Sequence, residues 1–386
     1  MFRKSKNSGL TAEIRVRRCY SCGAILQDKD PSGPGYVTSE KLASGEDVLC
    51  ERCYKLRHFS SDAQNYDFNQ DYITILNKAS KEDALAVYVL NAFCLTGSFL
   101  ANIGKFMPEK VFVIVNRRDV LPKSYSDEYL KDYVKKALEK EDIHPLEIIF
   151  ASSSQSKSFN IDGVRDAIRK YREGKSVYMI GAYQVGKSSL VSCLLRGYTN
   201  PTNKMVQTSP YPETNLNCVW IPLDKDHYLY DLPGIYNSHS IVSFVEPQIV
   251  KYLIPRNEIK SETYSAKKDQ SFLLSNLSRI DVIKAEKTDF TFYKSNDITI
   301  FRSKLSKADQ ELANISKNQQ LLCVSKKVSS SADLVKTDVK VEKGNYRIRI
   351  VGLGYFDFVG DGQELAIYAP KNVDILIEKD GNVITK

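Results

Sequence analysis

An α/β fold is predicted for the central part of this chain, with a cysteine-rich segment before it and a mostly β module after it. Three observations support this division of the 386 residues. Residues 61–240 alternate short apolar β-runs with helical patterns, which is typical of a doubly wound sheet. Residues 19–60 contain two closely spaced cysteine pairs. Residues 241–386 contain mainly strand-like patterns.

The composition is that of a globular protein and suits a partner that carries phosphate groups. Hydrophobic residues make up 42% of the chain and charged residues 26%, which is too apolar for a disordered protein. The formal charge of +8 at pH 7 is compatible with a nucleotide or a nucleic acid as ligand. No apolar run reaches the roughly 18 residues that a spanning helix needs, so we expect no membrane span.

The N-terminal segment, residues 1–18, is strongly basic. It contains six Lys and Arg residues and one acid, Glu13. A short mitochondrial presequence and a plain basic arm both fit this composition. A secretory signal is not expected, because the segment has no long apolar region.

Four of the eight cysteines form two C-x2-C pairs that are separated by 27 residues. In a chain without a secretory signal, this spacing predicts a metal site rather than disulfides. Four thiolates complete a tetrahedral zinc site with no open position, so the zinc would be structural. A redox-active pair is the alternative, because one C-x2-C alone is ambiguous. The predicted zinc ligands are Cys19, Cys22, Cys50 and Cys53.

The central region contains six predicted strands with helices between them. The apolar runs lie at residues 84–93, 110–116, 146–152, 176–181, 217–223 and 227–234. Helical patterns cover residues 126–141 and 187–197, and the second of these ends at a glycine, as helices commonly do.

The clearest functional signal is GAYQVGKSS at residues 181–189, which follows a predicted strand and opens a predicted helix. In that context, the pattern G-x4-G-K-S predicts a phosphate-binding loop whose backbone N–H groups wrap the phosphates. Lys187 would reach the β- and γ-phosphates, and Ser188 would supply an oxygen to Mg²⁺. The predicted nucleotide-binding residues of the loop are Gly181, Gln184, Val185, Gly186, Lys187, Ser188 and Ser189.

Two segments downstream of this loop predict the elements that sense the γ-phosphate. In YDLPG, Asp231 would hold Mg²⁺, usually through water, and Gly234 would offer its backbone N–H to the γ-phosphate. Thr214, between the two motifs, is the candidate switch threonine that closes over Mg²⁺. A threonine in a loop is otherwise a turn residue, which is the alternative here. With Lys187, these three are the predicted catalytic residues.

An upstream segment, VNRRD at residues 115–119, is typical of the N-K-x-D motif that reads guanine, with arginine in the lysine position. The Asp119 carboxylate can accept hydrogen bonds from the N1–H and amino group of guanine, which adenine cannot offer. Asn116 would tie this loop to the base and to the phosphate loop. The apolar stem of Arg117 could pack across the ring. A merely charged loop is the alternative interpretation.

The base-reading motifs precede the phosphate loop, whereas ordinary small GTPases have the opposite order. Ser152 or Ser153, after the third β-run, would complete the base site. The motif order is therefore G4–G5–G1–G2–G3, and we predict a circularly permuted P-loop GTPase domain over residues 61–240. Such a rearrangement preserves every contact of a site. It also tethers residues 241–386 directly to the element that senses the γ-phosphate.

The C-terminal module is predicted to be mostly β. Residues 289–303 and 346–358 are strand-like, residues 306–322 fit a polar helix or linker, and residues 324–344 are predicted to be mobile. Several aromatic side chains in the strands could stack on RNA bases, although such residues more often form a β core. These residues are Tyr293, Tyr346, Tyr355 and Phe356.

With its finger and permuted motifs, the chain resembles the circularly permuted, zinc-finger-bearing ribosome-assembly GTPases of the YqeH type. The resemblance is strongest to their fungal mitochondrial relatives, the "genetic interactor of prohibitin" group. The segments that carry it are CYSCGAILQDKDPSGPGYV, LCERCYKLRHF, NRRDVLPK, GAYQVGKSSL, YDLPGI, SFLLSNLSRID and IRIVGLGYFDF.

The resemblance implies binding of GTP and GDP with Mg²⁺ and Zn²⁺, and GTP hydrolysis coupled to assembly of the small ribosomal subunit. The finger and the C-terminal module would contact rRNA or ribosomal proteins. It also implies that the protein is located in the mitochondrial matrix, which the basic N-terminus weakly supports. We expect the free protein to be a monomer. Isoleucine at position 235 replaces the glutamine that orients water in Ras-like enzymes, which predicts slow intrinsic turnover.

The chain departs from the usual residues of this family at several positions. Gln184 stands where an asparagine helps to hold K⁺, and Asn91 stands where an aspartate is usual. Residues 275–277 read Ser-Asn-Leu in place of Gly-Gly-Leu, and the first switch reads P-E-T-N in place of P-G-T-T. These departures leave open a non-hydrolysing or very slow nucleotide-binding adaptor for RNA or protein in mitochondria, linked genetically to prohibitin or lipid homeostasis.

Overall fold

The computed structural model contains a mainly parallel sheet followed by a module of two antiparallel sheets. It describes residues 17, 25–31, 35–44, 48, 50–51, 70–154, 158–196, 207–212, 214 and 216–383. Of the predicted zinc ligands, Cys50 belongs to this described part. The other three predicted ligands, Cys19, Cys22 and Cys53, lie outside it.

Helices and strands are numbered here in chain order over the described residues. The helices are α1 (Ser39–Ala43), α2 (Gln70–Lys81), α3 (Leu95–Ser98), α4 (Asp127–Glu139), α5 (Ile161–Tyr171), α6 (Lys187–Arg196), α7 (Ile241–Phe244), α8 (Pro247–Leu253) and α9 (Ala308–Lys317). The first nine strands are β1 (Leu85–Asn91), β2 (Val111–Asn116), β3 (Glu147–Phe150), β4 (Val177–Ile180), β5 (Gln207–Pro210), β6 (Asn217–Pro222), β7 (Tyr228–Asp231), β8 (Glu262–Ala266) and β9 (Gln270–Leu274). The other nine are β10 (Ser278–Lys284), β11 (Thr288–Lys294), β12 (Ile300–Lys304), β13 (Leu334–Lys340), β14 (Gly344–Ile350), β15 (Gly354–Gly360), β16 (Glu364–Pro370), β17 (Ile375–Lys379) and β18 (Asn382–Val383).

The central sheet has the strand order β3-β2-β1-β4-β7-β6-β5. The first five strands in this order pair in parallel, and β6 and β5 are antiparallel. Every residue of β1, β2 and β4 is buried, as expected for an α/β sheet that is covered on both faces. All six predicted β-runs contain a strand, which confirms the mixed α/β prediction. The loops that follow β2, β3, β4 and β7 therefore share one edge of the sheet.

Helix α4 shows how the local sequence forms the helices of this domain. Ser126 precedes α4 and accepts a hydrogen bond from the Tyr129 N–H, as an N-cap does. Leu130, Val134 and Leu138 follow at helical spacing and bury one face of α4. None of the helices in the described ranges is long and apolar enough to cross a membrane.

The C-terminal module consists of two packed antiparallel sheets, which have the strand orders β12-β9-β10-β16-β13 and β18-β17-β14-β15-β11-β8. Phe272 of the first sheet packs on Phe290 and Phe292 of the second, with ring centroids 6.0 and 5.2 Å apart. This module has an apolar core separate from that of the central sheet. Helices α7 and α8 contribute to the second core, so the chain enters the module directly after the segment that contains Asp231 and Gly234, which is called the second switch below.

Two of the four aromatic residues considered for RNA stacking, Tyr346 and Phe356, lie in the apolar core of this module. Tyr346, Tyr355 and Phe356 are all buried, whereas Tyr293 is half-buried. The β-core interpretation therefore applies to Tyr346 and Phe356, whereas the hydroxyl of Tyr355 contacts that of Tyr125 in the central domain.

The prediction that residues 324–344 are mobile was wrong. Strand β13 pairs with β16 along its whole length. Upstream of it, the Asn276 Nδ2 donates hydrogen bonds of 2.7 Å to the carbonyl oxygens of Ser325 and Val328. Strand β13 lies at a sheet edge, so most of its residues are exposed and it needs few apolar side chains. This explains why its sequence pattern is weak.

Candidate nucleotide-binding site

The loop between β4 and α6 is packed tightly enough to require its glycines. Gly186 has a φ of +93°, and a Cβ atom there would lie 2.4 Å from the Asn116 Nδ2. A Cβ atom on Gly181 would lie 2.5 Å from the carbonyl oxygen of Val89. Gln184 has a φ of +67°, in the left-handed region that favours glycine or asparagine. The loop is thus a preformed cradle whose shape requires glycine at positions 181 and 186.

Lys187 begins α6, and its side chain is buried within this cradle. Its Nζ donates hydrogen bonds of 2.9 Å to the carbonyl oxygen of Gly181 and 3.2 Å to that of Ala182. Burial lowers the pKa of Lys187 to about 8, and the charge of Asp231 opposes this shift. A phosphate oxygen is a stronger partner for an ammonium than a neutral carbonyl, so the loop can exchange these bonds for a ligand.

Asp231 ends β7 and carries a buried oxygen, Oδ1, that has no hydrogen-bond partner. Burial raises the pKa of Asp231, whereas Lys187 and a hydrogen bond with Ser188 lower it. A buried carboxylate oxygen without a partner is unusual and calls for a ligand. Together with the Ser188 hydroxyl, it forms an oxygen donor set of the kind that Mg²⁺ takes, so these residues fit the ion. When bound, the ion would neutralise the charge of the phosphates.

Asn116 joins three loops of the site through one buried side chain. Its Nδ2 donates to the Val185 carbonyl oxygen at 2.9 Å and to the Ser153 Oγ at 3.0 Å. Its Oδ1 accepts a hydrogen bond from the Ser153 N–H at 3.1 Å. Nearby, the Asp119 N–H donates to the Ser152 Oγ at 2.9 Å. The loops after β2, β3 and β4 are therefore held together, and both candidate serines take part.

Arg117 follows in a left-handed conformation, with a φ of +65°. Its Nη1 donates a hydrogen bond of 3.3 Å to the Pro255 carbonyl oxygen, in the segment that enters the C-terminal module. Burial lowers the pKa of Arg117, and Asp119 opposes this shift. The Ile259 N–H donates to the Val120 carbonyl oxygen at 2.9 Å. The base-reading loop thus contacts the start of the module.

Thr214 occupies a local turn in the structure. Its Oγ1 donates to the Tyr211 carbonyl oxygen at 2.9 Å and accepts from the Leu216 N–H at 3.3 Å. The Tyr211 side chain is buried, and its hydroxyl bonds that of Tyr178 at 2.8 Å. A role of Thr214 at the metal therefore requires this loop to rearrange, as switch segments do.

Sequence reasoning missed a direct contact between the phosphate loop and the second switch. The Tyr183 N–H donates to the Ile235 carbonyl oxygen at 2.7 Å, and the Ile235 N–H donates to that of Gly181 at 3.2 Å. The rings of Tyr183 and Tyr236 stack with centroids 4.4 Å apart. The sequence did contain a signal for this contact: Tyr183 lies within the phosphate loop, and Tyr236 follows two residues after Gly234.

The cysteine-rich segment is described only in part. Cys50 is buried in a small cluster with Leu26 and Val37. Within the described residues, no group of three or more His, Cys, Asp or Glu side chains could hold a metal ion. Because three of the four predicted ligands lie outside those residues, zinc binding stays a prediction.

Comparison with known protein families finds two matches, which together cover residues 176–380. The family described as "50S ribosome-binding GTPase" matches residues 176–327, beginning at the strand that precedes the phosphate loop. The family described as "YqeH-like, C-terminal" matches residues 287–380. The chain therefore contains a P-loop GTPase domain and a YqeH-like C-terminal domain. The GTPase domain implies GTP and GDP as ligands, Mg²⁺ as cofactor, and GTP hydrolysis.

Whole-chain comparison relates the protein to YqeH and to nitric oxide-associated protein 1. It is 29% identical to YqeH of Bacillus subtilis (strain 168), over 94% of this chain and 98% of that protein. It is 27% identical to "NO-associated protein 1, chloroplastic/mitochondrial" of Arabidopsis thaliana, over 73% of this chain and 57% of that protein. It is 26% identical to the Mus musculus nitric oxide-associated protein 1, over 53% of this chain and 36% of that protein. The chain thus spans nearly all of the bacterial relative but little over half of the plant one.

Proposed function

We propose that this chain is a GTP-dependent switch that acts in assembly of the mitochondrial small ribosomal subunit, through a circularly permuted GTPase domain. The observation that carries the proposal is the buried Asn116 amide, which bonds both Val185 of the phosphate loop and Ser153. Loops that are distant in sequence, and in an order opposite to that of small GTPases, meet at one side chain. The GTPase family match begins at residue 176, after both base-reading loops, which supports the permuted order.

Within this site, the base-reading loop would select guanine over adenine. Asp119 would accept the two hydrogen bonds that guanine alone offers, and Ser152 and Ser153 would support the base from the neighbouring loop. The hydrogen bond from the Asp119 N–H to Ser152 holds the carboxylate's own loop in place. Arg117 would pack its stem against the base while its guanidinium contacts Pro255.

The phosphates of the nucleotide and the Mg²⁺ ion would bind at the phosphate loop and the two switch segments. Lys187 would exchange its carbonyl partners for phosphate oxygens, and Ser188 and Asp231 would hold Mg²⁺. Gly234 would donate its N–H to the γ-phosphate, with Thr214 closing over the metal after its loop rearranges. The remaining loop positions, Gly181, Gln184, Val185, Gly186 and Ser189, would contribute backbone groups and the start of the helix.

Hydrolysis by the isolated chain would be slow. Ile235 has no polar atom with which to orient an attacking water, in contrast to the glutamine of Ras-like enzymes. We therefore expect rRNA or a ribosomal protein to complete the site. The apolar side chain of Ile235 also fits a second candidate function, that of a nucleotide-binding adaptor that does not hydrolyse GTP. Turnover measured with and without ribosomal subunits distinguishes the two.

The flanking regions would supply the contacts with the ribosome. We propose a structural zinc ion on Cys19, Cys22, Cys50 and Cys53 in a finger at residues 19–60, and a C-terminal interaction module at residues 241–386. The protein would act as a monomer in the mitochondrial matrix, with the basic arm at residues 1–18 as its targeting segment; the plant relative is named as chloroplastic/mitochondrial.

Sedimentation of the tagged protein with purified small and large mitochondrial ribosomal subunits tests this proposal. We expect association with the small subunit in GTP and in a non-hydrolysable analogue, and weaker association in GDP. Lys187→Ala should remove the dependence on nucleotide. Equal binding in all nucleotides would contradict the switch. A preference for the large subunit, which the "50S ribosome-binding" description of the matched family allows, would overturn the choice of subunit.

A further inference from the structure

The phosphate loop contributes one side chain to the core of the other half of the molecule. Tyr183 lies within the loop, but its ring is only 7% exposed and belongs to the apolar core of the C-terminal module. Ile241 and Val245, which follow the second switch, belong to the same core. A residue of the phosphate loop is therefore packed with the module rather than with the central sheet.

Tyr183 also fastens the second switch, residues 231–241, to the phosphate loop. Its N–H donates to Ile235 at 2.7 Å, Ile235 in turn donates to Gly181 at 3.2 Å, and residues 182 and 235 form a parallel bridge. The ring of Tyr183 stacks on that of Tyr236 at 4.4 Å with an interplanar angle of 29°. Two backbone bonds and one ring pair thus hold the switch at this point.

Gly234 is the residue that this contact constrains. A Cβ atom on Gly234 would lie 2.8 Å from the Cα of Tyr183, so the close approach needs a glycine. In P-loop GTPases, the N–H of this glycine turns toward the γ-phosphate. The segment that must make that turn is therefore held by its neighbours, Ile235 and Tyr236, against the phosphate loop.

The other end of the switch is bonded to both halves of the molecule. The Asn237 Nδ2 donates to the Gly97 carbonyl oxygen at 3.1 Å. The Ile241 N–H donates to the Val351 carbonyl oxygen at 2.9 Å, in the C-terminal module. A backbone bond to the module therefore lies within seven residues of Gly234.

We propose that the stacked pair Tyr183–Tyr236 sets the position of the second switch: it holds the switch on the phosphate loop until a bound γ-phosphate draws the switch away. The proposal rests on the GTP-dependent switch proposed above. The two tyrosines act through Gly234 and Ile235 rather than by touching a reacting atom. Because the pair favours the held position, its loss favours the triphosphate-bound position. A stacked aromatic pair corresponds to a change of up to about tenfold in such an equilibrium.

Nucleotide affinities of the full chain test the pair directly. We would measure dissociation constants for GDP and for a non-hydrolysable GTP analogue in the wild type, in Tyr236→Ala and in Tyr236→Phe. Tyr236→Ala should raise the preference for the analogue over GDP by about threefold to tenfold. Tyr236→Phe keeps the ring and should retain the wild-type preference. An unchanged preference in Tyr236→Ala, or the same change in Tyr236→Phe, would overturn the proposal.

Hydrogen exchange of the wild type tests independently whether the second switch leaves the phosphate loop when the analogue binds. This result is obtained even if Tyr236→Ala does not fold. Peptides covering residues 180–186 and 232–241 should be protected in GDP and lose protection in the analogue. Equal protection in both states would overturn the proposal. Failure of the wild type to bind guanine nucleotides would overturn the proposed function instead, so the two failures are distinguishable.

Discussion

The two halves of this molecule bury charged side chains in opposite ways. In the C-terminal module, the Arg349 Nε donates to the Glu378 Oε1 at 2.6 Å; the side chain of Glu378 is 3% exposed and that of Arg349 is 14% exposed. In the nucleotide site, the Lys187 Nζ bonds only neutral carbonyl oxygens among the hydrogen bonds described, and Asp231 keeps an oxygen without a partner. Fully paired buried charges serve the fold, whereas buried charges with unmet bonding capacity mark the place of a ligand.

The paired networks of the module extend beyond one ion pair. Arg279 is almost fully buried and donates to Asp281 and to Asp309, each at 2.7 Å. Asp281 also accepts a hydrogen bond from the Ser271 Oγ at 2.5 Å. Because every partner is satisfied, these groups stabilise one arrangement of the strands.

The largest expected effect is on the stability of the module. Arg349→Ala leaves the Glu378 carboxylate buried without its partner, so the free energy of unfolding should fall by about 3–5 kcal/mol. Chemical denaturation of the nucleotide-free protein measures this. Lys336→Ala, which removes an exposed ion pair with Asp338, is the matched control and should cause no measurable loss. A loss of less than about 1 kcal/mol in Arg349→Ala would contradict the comparison.

The corresponding change in the nucleotide site should affect binding rather than stability. Lys187→Met removes an ammonium whose lowered pKa shows that burial disfavours its charge, which offsets the lost hydrogen bonds, so unfolding of the nucleotide-free protein should change by less than about 1 kcal/mol. Affinity for GDP should fall by about 100-fold, because hydrogen bonds between an ammonium and phosphate are strong. Calorimetric titration and denaturation of the same sample give both values. A stability loss as large as that of Arg349→Ala would remove the distinction between the two regions.

The pH dependence of binding follows from the lowered pKa of Lys187. With a pKa of about 8 in the free protein, the ammonium is charged below that pH and increasingly neutral above it. Phosphate favours the charged form, so binding takes up a proton at higher pH. Affinity for GDP should be constant up to about pH 8 and then fall by up to about tenfold per pH unit. Titrations between about pH 7 and about pH 9 check this, and Lys187→Met should show no such fall.

The smallest expected effect concerns backbone strain in the module. Ser275 has a φ of +49°, where glycine is favoured over a residue with a side chain. Ser275→Gly should raise the free energy of unfolding by about 0.5–1 kcal/mol and leave nucleotide affinity unchanged. Ser278→Gly is the matched control, because Ser278 lies in β10 and donates to the Tyr368 carbonyl oxygen at 2.7 Å. Ser278→Gly should lower the free energy of unfolding, because it removes this hydrogen bond and places glycine in a strand. Equal effects of Ser275→Gly and Ser278→Gly would contradict the strain argument.

How far the sequence predicts the structure also differs between the halves. In the central domain, buried parallel strands form continuous apolar runs, and the phosphate loop is a short local motif, so both could be located. In the C-terminal module, β13 is an exposed edge strand, and its pairing with β16 depends on distant contacts such as that of Asn276. Local patterns carry no signal for such contacts.

Within the nucleotide site, too, local sequence patterns identify motifs but not the contacts between distant residues. The sequence predicts which residues the phosphate loop contains, and the structure places Asn116 and Ser153 beside that loop. For Thr214 the sequence offers a switch residue and a turn residue and cannot decide between them, because the observed turn depends on how the buried Tyr211 anchors that segment. The stacking of Tyr183 on Tyr236 depends on the module that follows the switch, which no motif encodes.

The measurement that tests the central claim most directly is thermal unfolding of the full chain with GDP and Mg²⁺, with ADP and Mg²⁺, and without nucleotide. At a concentration about 100 times its dissociation constant, GDP should raise the free energy of unfolding by about 2.7 kcal/mol. ADP should have no effect, and at the same GDP concentration Lys187→Met should respond by only about 0.4 kcal/mol. An equal response to ADP, or an undiminished response in Lys187→Met, would contradict the claim that the buried Lys187 and Asp231 form a guanine-nucleotide site.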